Sequence, residues 1–222
     1  MNKTKLLYKT LSLSLCLILA LTLLPVPAGA EPEPSNAWDG TTIAAAFAGG
    51  GTATAPYQIS TGAELAYLAQ QVNKGNSGGG SDYAGKYFVL MGDINLGEKP
   101  WTPIGQYDNS TSRNYTFNGS FDGGGHQITG LFISRSGPGP SASYQGLFGN
   151  IGSGGLVKDL GITDADITGG TYVGGAAGYI NSGTVQNCYV TGSVSGGAGN
   201  DKNGAPKNIA ELQAGTGFPA AL

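Results

Sequence analysis

Several shortages bound what this chain can be. It has two cysteines, Cys16 and Cys188, and the first lies in an N-terminal apolar stretch expected to be removed. The thiol left behind has no intramolecular partner, so the fold cannot rest on disulfides even in an oxidising compartment. The single histidine, His126, excludes a two-histidine zinc site and an H-E-x-x-H metallopeptidase. No spaced acidic loop of calcium-binding type occurs. Neither a cofactor nor a metal is therefore expected. After residue 30 no apolar run approaches the roughly 18 to 20 residues that a membrane span needs, so the mature chain is expected to carry no span.

The first thirty residues differ from the rest. They combine Lys3, Lys5 and Lys9, an apolar stretch from Leu11 to Leu24, and the small-residue ending Ala28-Gly29-Ala30. That is the pattern of a secretory signal cleaved before Glu31, which predicts a secreted or extracellular protein, in some cases retained at the cell surface. Cleavage leaves 8 basic against 14 acidic residues, a net charge of −6. Such a balance excludes nucleic-acid binding by electrostatics.

What the chain has in quantity is glycine, 40 residues of it, set between regularly spaced apolar positions. An apolar-x-x-apolar-x-apolar triplet occurs four times: Met91, Ile94, Leu96; Ile128, Leu131, Ile133; Val157, Leu160, Ile162; and Val185, Cys188, Val190. The triplets lie 37, 29 and 28 residues apart. A period of this size with Gly-rich connections predicts an all-β chain of stacked units, a β-solenoid. The register predicts an interior column of Leu131, Leu160 and Cys188, with Asn95, Phe132, Gly161 and Tyr189 outward.

Along the mature chain, residues 31–55 read as a Pro-rich linker followed by a strand-like segment over 38–47. Residues 56–96 hold the one credible helix and the first rung. Thr61 and Glu64 have capping-box spacing, and Leu65, Leu68 and Val72 share a helix face. This N-terminal α-helix is expected to cap the first rung, whose backbone edge would otherwise meet water. A flexible loop over 75–81 follows. Residues 97–196 carry the repeats, and 197–222 form a Gly-rich tail that looks too poor to close the last rung. That rung is expected either to mark a truncated repeat array or to self-associate with another chain.

Gly146-Leu147-Phe148-Gly149, Gly174-Gly175-Ala176-Ala177-Gly178-Tyr179 and the segment from Ser182 to Gly192 resemble the GLUG repeats of bacterial secreted and surface proteins. Similar in the same sense are Pro56-Tyr57-Gln58-Ile59, Asp93-Ile94-Asn95-Leu96, Trp101-Thr102-Pro103-Ile104-Gly105 and Phe121-Asp122-Gly123-Gly124-Gly125-His126. The resemblance covers about residues 38–196. It implies a right-handed parallel β-helix in an exported protein, often adhesive or in the cell envelope, and does not imply an enzyme.

Parallel β-helices also carry polysaccharide lyases and glycoside hydrolases, so the carboxylates are the candidate groups for chemistry. Asp164 and Asp166 are the best local pair, read as turn residues; Asp122 and His126 read as parts of one glycine-rich corner. The longest interval between triplets contains an excess over residues 97–118, and insertions in solenoids commonly form binding loops. Trp101, Tyr107, Arg113 and Tyr115 within it are the candidate ligand contacts, aromatic and polar groups suited to a sugar ring. The sequence thus favours a non-catalytic extracellular or cell-surface solenoid acting in adhesion or in envelope or glycan interaction. The competing readings are a β-helix polysaccharide-active enzyme and a repeat fragment of a larger surface protein.

Overall fold

The computed structural model describes residues 36–74, 83–108, 113–137 and 139–196. The expected signal segment, most of the linker, the 75–81 loop and the tail from 197 lie outside the described residues, as do the side chains of residues 107, 108, 113, 114 and 140. Among the described residues, strands dominate and there is one α-helix. The order is β1 (Tyr57–Ile59), α1 (Gly62–Lys74), β2 (Tyr87–Leu90), β3 (Ile94–Asn95), β4 (Tyr107–Asp108), β5 (Arg113–Asn114), β6 (Ser120–Asp122), β7 (Gln127–Thr129) and β8 (Phe132–Ser134), then a 3₁₀ turn, β9 (Phe148–Ile151), β10 (Leu156–Thr168), β11 (Ala177–Ile180) and β12 (Thr184–Ser195).

Eight of these strands form one sheet in which every pairing is parallel. Parallel neighbours must come from segments a full connection apart, and here each strand pairs with the corresponding strand of the next repeat. Tyr57 faces Phe88, Phe88 faces Phe121, Phe121 faces Val157, and Val157 faces Val185. A second ladder runs Ile94, Ile128, Ile162, Val190, and a third Ile133 to Ile167 to Val194. The separate β9–β11 pair is parallel as well, with Phe148 opposite Ala177. Like apolar side chains therefore stack on like from repeat to repeat. The interior is filled by Phe88, Phe117, Phe121 and Phe148, whose neighbouring rings lie 5.0 to 5.9 Å apart and are all at most 1% exposed.

The triplet register is correct only for the last two repeats. Leu160 does oppose Cys188, but Leu131 precedes Phe132, the partner of Asp166, so the expected column breaks at Leu131. The cause is corner length: seven positions separate Phe121 from Ile128, while five separate their partners Val157 and Ile162. The Gly123–Gly125 corner takes up the difference. Asp159 and Asn187 turn the shorter corners in the left-handed region, at φ 53° and 51°, where Asp and Asn are the best-tolerated non-glycine residues. Met91 is likewise not inward but 51% exposed, because β2 ends at Leu90 and the chain turns there. Gly161 faces outward as expected and is covered on that side by Tyr189: a Cβ there would lie 2.6 Å from the half-exposed Tyr189 ring.

The segment over 38–47 is not a strand. Asp39 folds it instead, accepting bonds from the amides of Thr41 and Thr42 at 2.8 and 2.7 Å. Single bridges at Ala37 to Asn95 and Ala48 to Gln58 attach its flanks to the sheet. The helix matches its sequence signals. Glu64 N–H donates to Thr61 Oγ1 at 3.2 Å, and the Glu64 carboxylate accepts from Ser60 and Thr61 N–H at 2.7 and 3.0 Å, which closes a reciprocal capping box. Leu65, Leu68 and Val72 are at most 1% exposed and belong to the same core as Ile59 and Phe88.

Candidate ligand cleft

The packing of α1 leaves a cleft of about 360 Å³ on one side. Three short segments make it: the Asp39 turn, the helix face around Ala66, Ala69 and Gln70, and the 100–106 loop. Each is fixed from behind. Asn73 holds the loop with both ends of its amide, donating to Pro103 C=O and accepting from Gly105 N–H, each at 2.9 Å. Trp101 is 2% exposed and donates its indole N–H to Leu147 C=O at 3.2 Å. Trp38 donates to Thr42 C=O at 2.7 Å, and the two indoles meet edge to face with centroids 5.7 Å apart. The approach of Trp38 to the helix requires Gly62, since a Cβ at that position would sit 2.4 Å from the Trp38 Cβ. Hydrogen bonds from the Thr42 hydroxyl and from the amides of Thr42 and Thr41 hold the Asp39 carboxyl well below the usual carboxylate range.

Of the four sequence-derived contacts, Trp101 lines this cleft. Tyr115 is 6% exposed, which corrects its assignment as a surface contact: its ring belongs to the interior, and its N–H donates to Gln106 C=O at 2.9 Å. The backbones of Tyr107 and Arg113 lie in the short antiparallel β4–β5 ladder, and their side chains are outside the described residues. Sequence reasoning missed Trp38, Gln70 and Lys74. The available signals were the presence of only two tryptophans in the chain and the polar helix positions Gln70, Asn73 and Lys74 at spacings of three and four.

The carboxylates gather elsewhere, at the corners of successive repeats. The Lys158 ammonium donates to Asp122 at 2.5 Å and to Asp159 at 2.8 Å, and the Asn187 amide donates to Asp159 at 3.0 Å. Asp122 also caps its own corner through the Gly124 N–H at 2.8 Å. The pairing, with Asp122 the larger cause, raises the Lys158 pKa, and Lys158 in turn lowers that of Asp159. Nearby, Asp93 contacts His126 Nδ1 at 3.3 Å and accepts from Gln127 N–H at 3.0 Å. Asp164 and Asp166 are both exposed; Asp164 bends β10 at φ 51° and accepts from the Thr129 hydroxyl at 3.0 Å. Cys188 is half-buried, and burial pushes its thiol up to about 11, which leaves it protonated and unreactive at neutral pH. No group of three or more metal-ligating side chains occurs among the described residues, and no described helix is long and apolar enough to cross a membrane.

Two long proteins match most of this chain. Halomucin of Haloquadratum walsbyi is 34% identical over 164 residues, which is 71% of this chain and 2% of that protein. A Gly-rich membrane protein of Evansella cellulosilytica is 36% identical over 163 residues, 70% of this chain and 16% of that protein. The chain thus spans a small part of the length of either relative. No protein-family profile matches it, and no solved structure does.

Proposed function

We propose that the chain is a right-handed parallel β-helix of GLUG type, acting without catalysis as an extracellular or cell-surface module that contacts glycans or the cell envelope. The observation that carries this reading is the stack of in-register parallel ladders, in which each repeat buries its apolar face only against the next. Such an array presents a rigid side wall, and α1 caps its first rung. The two relatives support surface placement by their names, one a mucin by name and the other a membrane protein, and their lengths suit a module repeated within a larger protein.

The corner charges favour binding over hydrolysis. Glycoside hydrolysis needs one carboxyl kept protonated near neutral pH as general acid. Lys158 acts on Asp159 in the opposite direction, holding it ionised. Binding of the full chain to a glycan array, followed by a reducing-end assay on the polymers it binds, tests the reading. Reproducible binding with no new reducing ends is the expected result. Depolymerisation of a bound polymer would establish the enzymatic alternative instead.

A further inference from the structure

We propose that the α1 cleft binds a pyranose ring bearing a carboxylate, a hexuronate unit of an acidic polysaccharide. This deepens the glycan reading above and rests on it for the context in which such a polymer is met. Four features of the cleft select that ligand. Its volume, about 360 Å³, falls at the lower end of the range of small-molecule sites and fits one or two sugar residues. Its accessible apolar lining is Trp38 and Ile43, above a floor formed by the buried Ala66, Ala69 and Trp101, which suits the C–H face of a pyranose. Its remaining lining supplies amides and hydroxyls, from Gln70, Gln106, Thr41 and Thr102, which suit the hydroxyl edge.

The fourth feature is charge. Among the described lining residues one cation occurs, Lys74, and no carboxylate, in a chain whose net charge is negative. The Lys74 ammonium donates to the Gln70 side-chain carbonyl at 3.1 Å, which holds it at the cleft and leaves further N–H donors for an anion. With no carboxylate partner among the described residues, this ammonium favours a ligand that brings its own. Both indole N–H groups are already bonded to backbone carbonyls, so the rings are fixed in orientation before a ligand arrives. Little ordering cost then remains to be met on binding.

The chain provides its own probe, because its only two tryptophans both line the cleft. Titration of the full chain with a galacturonic acid trisaccharide, read by tryptophan fluorescence, is expected to saturate. The neutral galactose trisaccharide of the same linkage is expected to bind at least about tenfold more weakly, as loss of one charge-assisted hydrogen bond implies. Lys74→Met and Ile43→Asp alter exposed side chains, so the thermal transition should stay in place while uronate affinity falls by a similar factor. Equal affinity for the two sugars, or a Lys74→Met protein that binds uronate normally, would overturn the proposal. No fluorescence response together with retained glycan-array binding would overturn the cleft and leave the surface reading standing; loss of both would overturn both.

Discussion

The first and last repeats meet their surroundings in opposite ways. At the first, α1 lays Leu65, Leu68 and Val72 over Ile59 and Phe88, and all five are at most 1% exposed. At the last, Val185, Cys188 and Val194 of β12 are only half-buried and Ile180 is 42% exposed, with Val190 alone of the inward β12 positions buried, at 9%. The strands are built alike and the apolar positions are in register. What differs is whether something apolar among the described residues stands on the far side, since a strand is stable only as far as its neighbours cover it. Burial in this molecule is therefore a property of position in the stack more than of residue type.

Substitutions can break or sharpen that comparison. The largest effect is expected in the middle, where a repeat lies on each side. Leu160 is 1% exposed between β6–β7 and β12, and Leu160→Asp places an uncompensated charge there. The protein should fail to fold, read as loss of the β-type circular dichroism. An unchanged thermal transition would mean that Leu160 does not point inward.

A smaller and more discriminating pair compares the ends directly. Leu68→Ala under the helix should cost about 3 kcal/mol, in the range for fully buried leucines. Val194→Ala on the half-buried face of β12 should cost less than about 1 kcal/mol, since fewer atoms leave an apolar environment. Denaturant midpoints measure both, and equal losses would show that the two ends are covered alike.

The smallest effect belongs to the corner ladder. The folded pKa of Asp159 is lowered by Lys158 and Asn187, so its contribution is present above its usual value of 3.8 and is lost as pH falls through the folded value. The folded pKa of Lys158 is raised, so its contribution is full below its usual 10.5 and is lost as pH rises through the folded value. Lys158→Met should flatten both flanks of the stability profile by less than about 1 kcal/mol, as expected for partly solvated pairs. Denaturation midpoints across both pH windows are the measurement, and unchanged flanks would show that the ladder contributes nothing to stability.

The legible and illegible parts of the fold divide along physical lines. The helix was readable because Thr61, Glu64 and the Leu65, Leu68, Val72 stripe are local signals, settled within three turns of chain. Parallel repetition was readable from the period. Register was not, because a period-2 strand pattern fits several alignments, and the choice between them lies in corners such as Gly123–Gly125, whose length has no hydrophobic signature. The cleft was readable only through Trp101. Its other walls come from residues 38–43 and α1, distant in sequence from the insertion that drew attention, and Tyr115 went inward because its neighbour Phe117 bridges to Ile151 in the next repeat. Aromatic and polar residues in a loop mark a site only when the backbone leaves their faces uncovered.

One arrangement underlies the whole sheet: in-register parallel stacking, with β12 as the outermost described strand. Amide hydrogen exchange of the full chain at low concentration, resolved by residue, tests it most directly. Each parallel strand directs alternate amides to opposite neighbours. Protection should therefore run unbroken along the paired stretches of β10, which has a strand on both sides, and the amides of β12 that face β10 should be slow. Alternating protection along β10, or fast exchange of the β12 amides that face it, would contradict in-register stacking.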